Sequence, residues 1–361
     1  MAPRRLIVIG ASAGGVEALT KLVRGMPRDI PAAIFVTLHF PPTVTSALAR
    51  ILERAGSLTP VQASDGLAIE EHRIYIAPPD HHLLVFRDHM RLYRGPRENG
   101  NRPAVDPMFR SAALAYGPGV VGVVLSGNLD DGTSGLLAIK RRGGLAVVQD
   151  PEEATFPSMP QSAIDHVDVD YVTKIGHMAP LLDELARRPL EGEEIVATDD
   201  TEKETGYAEI DLDRIEHVAE HPGVLAPFGC PDCGGTLWEL REGNLTRFRW
   251  RVGHAWTSEA LLARQGETLD AALWTALRAL EESASLSQEL AERARTRGNA
   301  RVAQRLSDNA ELASRRAAVV REVLARGREP VADVQQQKAS IAPRTAPTSS
   351  PREQHRATGS D

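Results

Sequence analysis

At 361 residues the chain is long enough for two or three domains, and its 42% hydrophobic and 25% charged residues exclude a wholly disordered protein. A net charge of −7, from 42 basic against 49 acidic residues, argues against a general nucleic-acid binder, which would carry a basic excess. Aromatics are only 4%, so the core must be built from Ala, Val, Leu and Ile. The two cysteines, Cys230 and Cys233, cannot form a disulfide framework and point to a reducing compartment. No apolar run reaches the ~18 residues of a membrane span and the first apolar stretch is too short for a signal peptide, so a cytoplasmic protein without direct membrane insertion is expected.

In chain order, residues 5–9, 32–38, 73–77, 120–125 and 145–149 are short, continuous apolar runs rich in β-branched residues. That is the pattern of strands covered on both faces. Helical patterns fill the gaps at 15–24, 45–54, 107–116 and 133–142. The alternation predicts an α/β fold, a mostly parallel sheet with helices on both faces, over residues 1–190. Residues 82–87 and 89–93 flank Asp88 and read as a hairpin added at one sheet edge. An acidic linker follows at 191–224, with twelve Asp/Glu between positions 191 and 220 against Lys203 and Arg214. A small module spans 225–257. Residues 258–327, with Leu262, Leu269, Leu273, Leu277 and Leu280 at helical spacing and a break at Gly298-Asn299, predict a helical hairpin. The tail, 328–361, has the composition of a disordered segment.

The first predicted strand ends in Gly10-Ala11-Ser12-Ala13-Gly14-Gly15. This fits G-x-S-x-G, where a tight strand-to-helix turn forces a serine outward beside the unpaired N–H groups of a helix start. A Gly-rich turn also suits phosphate binding, but the nucleotide fingerprint G-x-G-x-x-G fails because position 12 is serine. Close helix–strand packing is a third reading. His39 ends the second strand, where a loop-capping histidine is the plainer reading. Asp130 and Asp131 follow the strand at 120–125, where helix N-capping is the common use of such acids. Together, a serine, a histidine and an aspartate at the same edge of a parallel sheet have the arrangement of nucleophile, general base and orienting carboxylate.

Seven collinear blocks carry a resemblance. They are Ile9-Gly-Ala-Ser-Ala-Gly-Gly15, His39-Phe-Pro-Pro42, Ile76-Ala-Pro-Pro-Asp80, the stretch 102–113, Leu125-Ser-Gly-Asn-Leu-Asp-Asp-Gly132, the stretch 143–151, and Ser158-Met-Pro160. Over residues 1–190 the chain resembles the catalytic domain of the CheB-type chemotaxis protein-glutamate methylesterases, a Rossmann-like fold. The resemblance implies hydrolysis of glutamate γ-methyl esters on methylated chemoreceptor helices with release of methanol, and in some members glutamine deamidation. It places the nucleophile on Ser12, the base on His39 and the carboxylate on Asp131, with no cofactor for catalysis. It assigns the oxyanion and substrate pocket to Ala13, Gly14, Asn128 and Arg102. The chain departs from the family pattern at Ala13, Asn128 and Leu129, where Thr, Met and Gly are usual. A catalytically weak signalling scaffold is therefore the alternative function. The family's N-terminal receiver module has no counterpart before the first strand, so control through an attached receiver is not expected. Arg102 and Asp106 read equally as substrate placement and wall support, or as an ion pair and a helix cap.

In the 225–257 module, Cys230-Pro-Asp-Cys233 is a zinc-ribbon-like knuckle, with His254 as a third ligand and Asp232, His217, His221 or water as the fourth. A reactive dithiol or two inert thiols are the other readings. The helical hairpin reads as an element that binds a protein partner or self-associates. Deletion of residues 226–361 is expected to leave hydrolysis of a small ester intact.

Overall fold

The computed structural model describes residues 5–41, 46–190, 223–251 and 253–326. Most of the predicted acidic linker, the predicted tail, His217 and His221 lie outside these residues. The described chain forms two compact units, one up to Glu267 and one from Thr268.

The first unit is built on a seven-stranded sheet of order β3-β4-β2-β1-β7-β8-β9. Its strands are β1 (Leu6–Ala11), β2 (Ala33–Leu38), β3 (Thr59–Gln62), β4 (Arg73–Ile76), β7 (Val120–Val124), β8 (Leu145–Gln149) and β9 (Tyr171–Thr173). Every neighbouring pair is parallel. All six residues of β1 and of β2 are buried, which is why these segments read as unbroken apolar runs. Alternate residues feed two cores. Ile7, Ile9 and Ala11 join one with Leu19 and Leu22 of α1 (Gly15–Gly25), Leu52 of α2 (Leu48–Ala55) and Leu182 of α6 (Ile175–Arg187). Leu6 and Val8 join the other with Phe109 of α3 (Val105–Tyr116), Ile139 of α4 (Thr133–Arg141) and Met159 of α5 (Ser158–His166). Chain order reverses across β1 and β7, so a crevice opens beyond their carboxyl ends.

The predicted hairpin exists as β5 (His82–Val85) and β6 (Met90–Tyr93), but it forms its own two-stranded sheet rather than extending the large one. The Val85 N–H donates to Ser111 Oγ on α3 instead. All four residues of β5 are buried, so the hairpin covers the helical layer.

Also within the first unit, β10 (Val224–Gly229), β11 (Thr236–Glu242), β12 (Leu245–Trp250) and β13 (Ala255–Thr257) make a four-stranded antiparallel ribbon. Cys230, Leu237, Phe248 and Trp256 form its core, and Leu129 from the β7–α4 loop packs against it. Leu129 has φ 61, a left-handed conformation that is uncommon for leucine. Contact with the ribbon is the physical reason for a leucine where the resemblance expects glycine.

Helix α7 (Ser258–Thr296) begins in the first unit. From Thr268 onward it pairs with α8 (Ala300–Arg326) as the second unit. Leu277, Ala317 and Leu324 form the seam, with Leu273, Leu280 and Val320 packed against it. Leu262 and Leu269 of the predicted stripe are exposed. No helix among the described residues is long and apolar enough to cross a membrane.

Candidate active site

Ser12 follows the last residue of β1 in the turn that opens α1. Its N–H donates to the Ser126 carbonyl (3.0 Å), tying the turn to the end of β7. Ser126 Oγ donates in turn to the Ala13 carbonyl (2.8 Å) and accepts the Phe156 N–H (3.0 Å). Gly14 takes φ 72, and a β-carbon there would sit 2.7 Å from Ser126 Oγ, so glycine is required twice over.

The end of β2 carries His39, whose N–H donates to the Ala11 carbonyl (3.3 Å), so histidine and serine leave neighbouring strands side by side. His39 Nδ1 lies 3.1 Å from Ser12 Oγ, and Nε2 lies 2.7 Å from Asp131 Oδ2. The carboxylate takes the Nε2–H, which leaves the Nδ1 lone pair facing the serine hydroxyl. The fold thus brings Ser12 and Asp131 each within hydrogen-bonding distance of His39.

Asp131 is 2% exposed and surrounded by donors. Oδ2 also accepts the Val105 N–H (2.7 Å), and Oδ1 accepts Asn99 Nδ2 (3.1 Å) and the Asp106 N–H (3.3 Å). Burial pushes its pKa upward, but the hydrogen bonds from His39, Val105 and Asn99 and the pull of the imidazole hold it down at about 2. It is therefore an anion at neutral pH, aimed along the imidazole.

The acids around it have other uses. Asp106 Oδ1 accepts the Gly132 N–H (3.1 Å) and the Gly135 N–H (2.7 Å), so Asp106 caps α4 from the start of α3. Neither Asp130 nor Asp131 caps that helix with its side chain. Burial and the neighbouring Asp131 charge push Asp106 well above the usual carboxylate range. Asp130 is raised to about 7, by burial first, against the hydrogen bond that its Oδ1 accepts from Thr257 Oγ1 (2.6 Å). An acid raised in the folded state favours folding below its unfolded pKa of ~4 and loses that advantage as pH climbs through the folded value. Asp130→Asn is thus expected to match the parent in stability near pH 4 and exceed it progressively up to about pH 7. The gain should be on the order of a few kcal/mol. Thermal denaturation from pH 4 to pH 8 checks this, and a pH-independent difference would refute it.

Of the other sequence-assigned residues, Ala13 and Gly14 are half-buried beside Ser12, and Asn128 is exposed. The Asn128 loop touches the serine through Gly127, where a β-carbon would meet Met159 Sδ at 2.1 Å and Ser12 Cβ at 2.9 Å. Arg102 pairs with Asp80 through Nε (3.0 Å) and Nη2 (2.6 Å), and its Nη1 donates to the Gly95 carbonyl (2.6 Å). It nonetheless lines, with His39, Phe40, Pro41 and Arg97, a cleft of about 280 Å³.

Sequence reading did not single out Glu98, Asn99 or Thr257. Asn99 and Gly100, with φ 51 and 73, form a tight turn whose flanks Glu98 and Asn101 pair. The dipeptide Asn-Gly was the available signal. Asn99 Nδ2 donates to Asp131, its Oδ1 accepts the Thr257 N–H (2.9 Å), and its own N–H donates to the Ala255 carbonyl (2.8 Å). Beside it Glu98 accepts two bonds from Arg110 (2.7 and 2.8 Å) and faces Arg249 (3.4 Å) and Arg247 (3.7 Å). The ribbon therefore reaches the Asp131 site through Asn99 and the Glu98 cluster. Removal of residues 226–361 would take away Ala255 and Thr257, which hold Asn99, and Arg247 and Arg249, which face Glu98, so loss of activity on a small ester, not retention, is the expectation from this geometry.

Residues 7–182 match the model of the CheB methylesterase family. A putative protein-glutamate methylesterase/protein-glutamine glutaminase of Leptospira interrogans is 37% identical over 186 residues, which cover 51% of this chain and 96% of that protein. The chain belongs to the CheB methylesterase family. A Methanosarcina mazei protein-glutamate methylesterase/protein-glutamine glutaminase is 35% identical over 192 residues, covering 51% of this chain and 52% of that one. A Xanthomonas campestris counterpart is 42% identical over 163 residues, 44% and 45% of the two chains. The chain thus spans about half the length of these last two relatives. The crystal structure of the Thermotoga maritima CheB methylesterase catalytic domain is 34% identical, with a TM-score of 0.49, and the match covers 50% of this chain and 98% of that one.

Proposed function

We propose that this chain is a protein-glutamate methylesterase that hydrolyses glutamate γ-methyl esters on chemoreceptor helices, with glutamine deamidation as a second reaction of the same site. The observation that carries this reading is the line from Ser12 Oγ to His39 Nδ1 (3.1 Å) and from His39 Nε2 to Asp131 Oδ2 (2.7 Å).

In this reading His39 Nδ1 takes the Ser12 proton as Oγ attacks the ester carbonyl carbon. The Ala13 and Gly14 N–H groups, at the positive end of α1, serve the developing oxyanion. His39 returns the proton to the departing methoxy oxygen, and methanol leaves. Water, deprotonated by His39, then attacks the carbonyl carbon of the γ-glutamyl ester on Ser12; the acyl–Oγ bond breaks, His39 returns the proton to Ser12 Oγ, and glutamate is freed. With glutamine the first leaving group is ammonia. Asp131 keeps Nε2 protonated throughout and stabilises the imidazolium. The cleft beside His39 carries Arg97, whose charge suits an acidic helix, while Arg102 is held by Asp80 in its wall.

Ser12→Ala is expected to remove methanol release from a methylated receptor fragment by ~10⁴-fold or more and to abolish labelling by a fluorophosphonate. Full-rate methanol release from the alanine variant would overturn the mechanism. An unlabelled parent chain would favour the scaffold reading.

A further inference from the structure

Cys230 and Cys233 bracket the turn between β10 and β11. The Cys230 N–H donates to the Gly235 carbonyl (2.7 Å), and its carbonyl accepts the Gly234 N–H (2.7 Å). Both cysteines are thereby held on one tight loop. The β12–β13 turn closes beside it, with the Trp250 N–H on the His254 carbonyl and the Gly253 N–H on the Trp250 carbonyl, both at 2.8 Å.

His254 Nδ1 lies 3.6 Å from Cys230 Sγ and 3.4 Å from Cys233 Sγ, and the three atoms lie within 4.8 Å of one another. A tetrahedral ion with ordinary zinc–sulfur and zinc–nitrogen bonds separates such a sulfur and nitrogen by about 3.6 Å. A second observation points the same way. Trp256 is 1% exposed, packs in the same apolar cluster as Cys230, and its indole N–H has no hydrogen-bond partner among the described residues. A metal-bound thiolate accepts from such a donor better than a thiol does. Asp232, between the cysteines, is committed to Arg264 at 3.1 Å.

We propose that Cys230, Cys233 and His254 bind zinc or another thiolate-preferring divalent ion, with the fourth position taken from solvent. The ion clamps the β12–β13 turn so that Ala255 and Thr257 hold Asn99 against Asp131. The next residue after His254 is the one whose carbonyl accepts the Asn99 N–H, so the clamp acts across a very short path. This last step rests on the esterase reading; the metal site does not.

The test uses the full chain purified without chelator. Elemental analysis should find about one zinc per chain, and cobalt(II) added to metal-free protein should give thiolate charge-transfer absorption with tetrahedral ligand-field bands. A Cys230→Ser/Cys233→Ser variant should lose that absorption. Absence of zinc together with absence of the cobalt spectrum in the parent chain would overturn the site, even if the variant failed to fold. Hydrogen exchange at the Asn99 and Thr257 amides should quicken at least ~10-fold on chelation, and unchanged exchange would overturn the clamp. Neither readout depends on hydrolysis, so failure of the Ser12 mechanism would be seen separately in methanol release.

Discussion

Asp131→Asn is expected to lower kcat for ester hydrolysis by about 10⁴-fold while leaving substrate binding close to the parent value. The parent carboxylate meets donors on every side: His39 Nε2 and the Val105 N–H at one oxygen, Asn99 Nδ2 and the Asp106 N–H at the other. An asparagine amide must turn its NH₂ toward one of these pairs. Turned toward His39, it donates to Nε2 and moves the ring proton to Nδ1, which can then no longer accept from Ser12. Turned the other way, it opposes two donors in a site that is 2% exposed. The first outcome removes the base without removing the pocket; the second keeps the tautomer but replaces a charged orienting partner with a neutral one and sets its NH₂ against Asn99 Nδ2 and the Asp106 N–H. Methanol release under saturating substrate, with far-ultraviolet circular dichroism as the folding control, measures the loss. A kcat within tenfold of the parent would mean that the imidazole does not depend on this carboxylate.

Glu98→Gln should strongly destabilise the first unit. Glu98 is 2% exposed, and the three guanidinium groups around it, from Arg110, Arg247 and Arg249, are each at most 2% exposed. Burial alone would raise its pKa, but Arg110, Arg249 and Arg247 pull it below the usual carboxylate range. Loss of one member of a buried charge cluster typically costs about 3–5 kcal/mol, since the opposite charges stay out of water without it. A folded body of this size would lose roughly 6–20 °C in Tm. Because Arg110 lies on α3 while Arg247 and Arg249 lie on β12, proteolysis of both segments should accelerate together. A variant melting within about 2 °C of the parent would show that the arginines have other sufficient anions.

Much of the sheet was legible because β1, β2, β7 and β8 are buried on both faces and so read as continuous apolar runs. Strand β3 escaped because it has four residues, includes Pro60 and sits at the sheet edge, where a missing N–H costs no ladder bond. Strand β9 is three residues long, too short for a pattern. The hairpin at 82–93 was found from the two runs that flank Asp88, but such runs do not say which layer the hairpin covers. Ser12, His39 and Asp131 were legible because parallel-strand ends share an edge. Asn99 was not, because an Asn-Gly turn announces its shape while the atoms it holds, on Asp131, Thr257 and Ala255, are 32 to 158 residues away. Leu129 looked like a weakened pocket residue; its apolar partner is the ribbon, which no local pattern reveals.

The interlock at Glu98 and Asn99 restricts how such a protein can be recombined. A chimera that joined this front half to a foreign tail would inherit an acid that keeps Arg110 but loses two of its three counterions, and an amide anchored at only one end. Exchange of the whole ribbon together with the 98–101 turn avoids both defects. Inheritance of the two segments as a pair, despite the long stretch of chain between them, is what this geometry demands of any lineage that keeps the site working.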